Sequence, residues 1–172
     1  MFLHVVTHAN LMTGVQLHCM NPVNTDVCHL CNSGRETVSH LFWYCTKVRP
    51  FWGCVFQLLS LLAPGHHVPG PELVFIVNPF PLLPKSSFPI VVSIHGFALW
   101  AIWKCYLGVV FDGKVFNEVT LNAQFLALVS SHIASMYFAA CKGKKRLSFV
   151  KVWHSPPHVS IDRNGIHVSF EM

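Results

Sequence analysis

Charge is what this sequence has least of. Only 11 % of its 172 residues are Asp, Glu, Lys or Arg, against roughly 25 % in an average soluble domain. With 52 % hydrophobic residues and a mean hydropathy of +0.46, the balance excludes intrinsic disorder. Three classes are left: a membrane protein, an unusually apolar folded domain, or part of a larger protein that covers some of this surface. Acids are scarcer still. There are seven, Asp26, Glu36, Glu72, Asp112, Glu118, Asp162 and Glu171, and no two are adjacent. Two-metal nucleotidyl transfer needs carboxylates gathered around the ions, so no polymerase or nuclease centre is expected and the chain is not read as an enzyme. The opening Met-Phe-Leu-His lacks a basic n-region and a continuous apolar stretch ending in a cleavage site. Seven cysteines cannot all pair. The expectation is a nuclear or cytoplasmic, reducing compartment and not secretion, with cysteines that are free or bind metal.

What is present is a mainly α pattern with a break in its middle. Leu11 to Met20 reads as a short helix. Val38, Leu41, Phe42 and Cys45 recur at helical spacing after Glu36, and Thr46 is placed to cap a second helix through Leu62, with Pro50 in its first turn. Pro64, Pro69, Pro71, Pro79, Pro81, Pro84 and Pro89 then crowd a linker. Beyond it, helices are expected from about Ser93 to Val110 and from Asn117 to Lys142, the latter capped by Asn117 and stopped by Gly143. After Arg146 the residues alternate through Val150 and Val152. Val159, Ile161, Ile166, Val168 and Phe170 then suggest two short strands joined at Arg163-Asn164-Gly165. The organisation is therefore residues 1–63, a Pro-rich linker 64–92, a helical segment 93–146 and a C-terminal piece 147–172.

Cys28, Cys31, His40 and Cys45 give Cys-x2-Cys-x8-His-x4-Cys. Three thiolates and one imidazole are the ligand set of a closed, structural tetrahedral zinc site, and thiolate softness favours zinc over magnesium or calcium. Four protein ligands leave no open coordination position for catalysis. The plainer alternative is a group of ordinary buried thiols with His29 or Cys54 as chance neighbours.

The residues around those ligands carry a resemblance. Leu11, Thr13, Leu17, His18, Cys28-His29-Leu30-Cys31, Glu36-Thr37, His40-Leu41-Phe42, Cys45, Arg49 and Trp52 follow in order the pattern of the zinc-binding domain at the carboxyl end of LINE-type (non-LTR) retrotransposon reverse transcriptases. The stretch from Leu11 to Leu59 resembles that domain. Leu99-Trp100-Ala101-Ile102-Trp103-Lys104 through Phe111 is similar to the helical segment that follows it in such elements, with Tyr106-Leu107 where they carry Arg-Asn. Trp153-His154-Ser155-Pro156-Pro157 looks like the lead into a truncated ribonuclease H-like domain. The resemblance implies a zinc knuckle that sets a basic, aromatic surface against RNA or DNA, weakly and without sequence specificity, with any polymerase supplied in trans.

The cations that fit this role are Arg35, Lys47 and Arg49 near the knuckle and Lys142, Lys144, Lys145 and Arg146 after the last long helix. The bland reading of the second group is a solvated helix end that complements the dipole. Among the aromatics, Trp43 and Tyr44 are the candidates for exposed stacking platforms. Ser131, His132 and Cys141 assemble no nucleophile, base and orienting acid. The rival reading is membrane insertion, because Val119 to Cys141 contains no Asp, Glu, Lys or Arg and runs into the cationic cluster. A degenerate reading frame that never folds stably is the third reading.

Overall fold

The computed structural model describes residues 11–63, 88–153, 158–161 and 165–170. The Pro-rich stretch to residue 87, the His66-His67 pair, most of the Trp153–Pro157 lead-in and the Arg163-Asn164 half of the expected turn lie outside them. The elements are α1 (Gly14–Met20), a π-helical turn (His40–Tyr44), α2 (Phe51–Leu62), α3 (Phe88–Asp112), α4 (Glu118–Lys142), α5 (Arg146–Trp153), β1 (Val159–Ile161) and β2 (Ile166–Val168). The protein is mainly helical with one short antiparallel hairpin, in the register Val159↔Val168, Ser160↔His167 and Ile161↔Ile166.

Helix α4 shows most simply how sequence becomes packing. Leu121, Phe125, Val129, Ile133 and Tyr137, four apart, are all buried, while Thr120, Gln124, Ser131 and Ser135 on the other side are exposed. The Asn117 side chain accepts from the Thr120 amide at 3.1 Å, Glu118 stands in the first turn and Lys142 in the last. Burying five such side chains contributes on the order of 10 kcal/mol before entropy is counted. The opposing surface comes from α3, where Ile94, Ala98, Leu99 and Ile102 are buried and Phe97 meets His132 at 4.9 Å, and from α2, where Phe51 meets Phe125 edge-on at 5.3 Å between ring centres.

Three expectations are corrected. Helix α3 begins at Phe88 rather than near Ser93, so residues 88–92, expected as linker, form its first turn and bury Ile90 and Val91. Pro89 is tolerated there because the first amides of a helix have no partner within it. Helix α2 starts at Phe51 with Pro50 as its cap residue, not at Thr46. Residues 45–50 instead turn tightly, with the Val48 and Arg49 amides both donating to the Cys45 carbonyl. Finally, residues 146–153 are helical, although Val150 and Val152 alternate. The stronger signal is Phe149 and Trp153, four apart and both buried, with Phe149 against Tyr137 at 5.5 Å and Trp153 against His132 at 6.0 Å.

Candidate metal centre

The knuckle is built by the backbone first. Val27 and Arg35 form an isolated antiparallel bridge, and inside it the Cys28 amide donates to the Gly34 carbonyl at 3.0 Å. The Asn32 amide donates to the Cys28 carbonyl at 2.8 Å. Reversal in so few residues requires left-handed backbone, taken at Asn32 (φ 51°) and Gly34 (φ 70°). Gly34 has a second reason to lack a side chain: a Cβ there would stand 3.2 Å from Cε1 of His40. Its bare backbone forms the wall against which the imidazole rests.

On the other side of the site, the Thr37 hydroxyl accepts from the His40 amide at 3.0 Å and opens the π turn. That turn solves a spacing problem. In an α-helix, residues five apart point about 140° away from each other. Here the Cys45 amide donates to the His40 carbonyl at 2.7 Å, an i→i+5 bond that brings residue 45 over residue 40. The Trp52 indole fastens the turn to α2 by donating to the Phe42 carbonyl at 2.7 Å.

The four metal-type side chains converge. The ligand atoms of Cys28, Cys31, His40 and Cys45 all lie within 4.8 Å of one another. The Cys28 and Cys45 sulfurs are 3.9 Å apart, and Cys31 Sγ is 3.3 Å from His40 Nε2. For zinc–sulfur bonds of about 2.3 Å and a zinc–nitrogen bond of about 2.0 Å, tetrahedral angles give edges of about 3.8 Å between sulfurs and about 3.5 Å between sulfur and nitrogen. The group is therefore positioned to bind a metal ion. All four are set close without a disulfide, since 3.9 Å is about twice an S–S bond. The Cys28 thiol donates to Cys45, which pushes Cys28 well above the usual thiol range and pulls Cys45 below it. The Ser33 hydroxyl donates to Cys31 Sγ at 3.3 Å. Neither chance neighbour competes: the His29 ring turns to Glu36, and Cys54, on α2, is not in the group.

Sequence reasoning undervalued Glu36, placing it before a helical run and in the family pattern without assigning it a role. It has no solvent exposure, and four donors reach it. Oε1 accepts from the Gly14 amide at 2.6 Å and from the Tyr106 hydroxyl at 2.8 Å. Oε2 accepts from the His29 amide at 2.7 Å and from His29 Nδ1 at 2.8 Å. One carboxylate thus joins α1, the knuckle and α3. Burial and the Glu36 contact push the Tyr106 phenol well above its ordinary range, keeping it a donor. An acid that a charge-poor chain buries between its cysteines was the available signal.

The seven expected cations do not form one surface. Lys47 and Arg49 are exposed just after the π turn, and Arg35 pairs with Asp26 at 2.9 Å. Arg49 stands two residues before Phe51, whose ring meets Phe125; from Phe125 to Lys142, α4 runs about 25 Å. Lys142, Lys144, Lys145 and Arg146 are exposed at that far corner, with the Arg146 guanidinium 5.8 Å from the centre of the Tyr137 ring. Of the two platform candidates, Trp43 is half-buried, tilted against Trp52 at 5.1 Å, while Tyr44 is 58 % exposed beside the ligand Cys45. His132 lies between Phe97 and Trp153, and burial lowers its pKa.

Comparison of the chain with protein-family models, curated proteins and solved structures finds no match to any of them.

Proposed function

We propose that this protein is a non-catalytic, zinc-stabilised, nucleic-acid-associated module of the kind found at the carboxyl end of LINE-type reverse transcriptases. The observation that carries the reading is the convergence of Cys28, Cys31, His40 and Cys45, whose ligand atoms lie within 4.8 Å of one another, on the residues for which the sequence resembles that family. Cys28 and Cys45 would hold zinc from the buried side, Cys31 and His40 from the rim. The ion would neutralise the thiolates and clasp the knuckle, and its four protein ligands would leave no position for a substrate. RNA or DNA would meet Lys47, Arg49 and Tyr44 on the knuckle side, with Arg35 contributing only after giving up Asp26. Lys142, Lys144, Lys145 and Arg146 form a second contact. Any polymerase is supplied in trans, and the working compartment is nuclear or cytoplasmic.

Two measurements test the reading. Metal analysis should find one zinc per chain, lost in Cys28→Ser/Cys31→Ser. Binding to a nucleic-acid duplex should weaken with salt at a log–log slope of roughly −3 to −4, as three to five neutralised phosphates require. Sequence preference should be slight. Stoichiometric zinc retained in the double variant would overturn the site, and a salt-independent signal would overturn the partner.

A second reading, a small membrane protein, is favoured by one observation: Pro89–Asp112 and Glu118–Lys142 are both long and apolar enough to cross a membrane. The polar outer line of α4 speaks for the first reading. Detergent partition separates the two, since a membrane-spanning hairpin enters the detergent phase whether or not the cysteines are intact.

A further inference from the structure

We propose that Glu36 is a positioning residue that couples metal loading of the knuckle to the seating of α3, with the Tyr106 hydroxyl as the connecting donor. The inference rests on the metal reading above. Two of the four donors on Glu36 come from His29, the residue between Cys28 and the Leu30-Cys31 pair. Clasping Cys28 and Cys31 on one ion sets the direction of the intervening backbone, and with it the His29 amide and ring. The other two donors lie outside the knuckle: Gly14 on α1, and Tyr106 on α3, 70 residues further along the chain.

A carboxylate with no solvent exposure depends on all of these donors, because a buried charge left short of partners is costly. When the knuckle is unclasped and His29 swings away, Glu36 is driven toward water. Tyr106 and Gly14 then lose their acceptor. Tyr106 is itself only 1 % exposed, stacked on Trp103 at 5.1 Å and edge-on to His29 at 6.3 Å, so its loosening disturbs the α3 surface that faces the knuckle. Linkage makes the effect reciprocal. Whatever factor metal contributes to the Tyr106–Glu36 contact, that contact returns to metal affinity. The chain therefore carries a connection from a local ion site to the long helices, made by one side chain.

The test uses cobalt(II) as the metal, whose thiolate absorption reports binding, together with amide hydrogen exchange on the full chain. In the wild type, cobalt should raise protection at residues 102–110 and 13–17. Tyr106→Phe keeps the ring and its stacking and removes only the hydroxyl. It should retain the cobalt spectrum, weaken cobalt affinity about tenfold, as loss of one hydrogen bond to a charged group implies, and abolish the metal response at 102–110. Glu36→Gln should do the same with a larger affinity loss. If Tyr106→Phe binds cobalt as tightly as wild type, or if residues 102–110 respond to metal equally in both, the coupling is overturned while the metal site stands. If the wild type shows no thiolate–cobalt band, the metal reading itself fails.

Discussion

The knuckle at residues 28–45 and the α3–α4 pair are held by different physics in one chain. The helices are secured by apolar burial along stripes such as Leu121, Phe125, Val129, Ile133 and Tyr137. The knuckle gives Leu30, Val38, Leu41 and Phe42 to the shared core, but apolar burial is not all that shapes it. It also depends on backbone reversals at Asn32 and Gly34, on the hydrogen bonds to Glu36 and on four side chains placed where they could hold a metal ion. So small a segment cannot bury enough surface to order itself, and a metal is the ordinary substitute. The contrast teaches where each half is vulnerable: one to cavities, the other to loss of a single ligand or a single turn conformation.

The sharpest way to break that contrast is Cys31→Ser, or a chelator on the wild type. Metal binding in modules of this kind is worth on the order of 10 kcal/mol of folding free energy. The expected outcome is release of the metal and loss of exchange protection over residues 28–45, while circular dichroism keeps most of the signal of α3 and α4. A global collapse of helicity would show that the two regions are not separable. The reverse experiment is Phe125→Ala. It removes a fully buried ring that meets Phe51, and should cost about 3–5 kcal/mol in urea unfolding. Metal stoichiometry should remain one per chain.

A smaller effect is expected from Gly34→Ala, which sets a Cβ on left-handed backbone and against the His40 ring. The cost is about 1–2 kcal/mol, read as weaker metal affinity with α3–α4 unfolding unchanged. The smallest concerns acid. Burial lowers the His132 pKa in the folded state, so between that value and the ordinary 6.5 the unfolded chain binds more protons. The His132 contribution is thus intact above about pH 6.5 and is lost as pH falls through the folded pKa. In metal-saturated protein, the drop in melting temperature on acidification should be shallower in His132→Phe than in the wild type. Equal slopes would exclude His132 as a contributor.

Much of the helical half was legible because its signals are local. Asn117, Glu118, Lys142 and Gly143 mark both ends of α4, and the structure places its ends there. Residues 146–153 misled because Val150 and Val152 mimic a strand, while the deciding pair Phe149 and Trp153 gains its value only from Tyr137 and His132 on another element. The start of α3 was misjudged for the opposite reason: a proline that ends most helices is harmless in a first turn.

By itself the sequence singled out the candidate metal-binding group, because Cys28, Cys31, His40 and Cys45 are the right chemistry at a spacing short enough to be closed by nearby backbone. It also marked the ends of α4 and the residues of the two short strands, Val159, Ile161, Ile166 and Val168. Only the tertiary structure decided that His40 and Cys45 meet through a π turn rather than an α-helix. It alone brought Tyr106 to Glu36. The physical reason is range. Periodicity, caps and ligand spacing act between residues a few positions apart and are written in order along the chain, whereas a bond across 70 residues exists only after α1, the knuckle and α3 have packed and left one buried carboxylate where their donors cross.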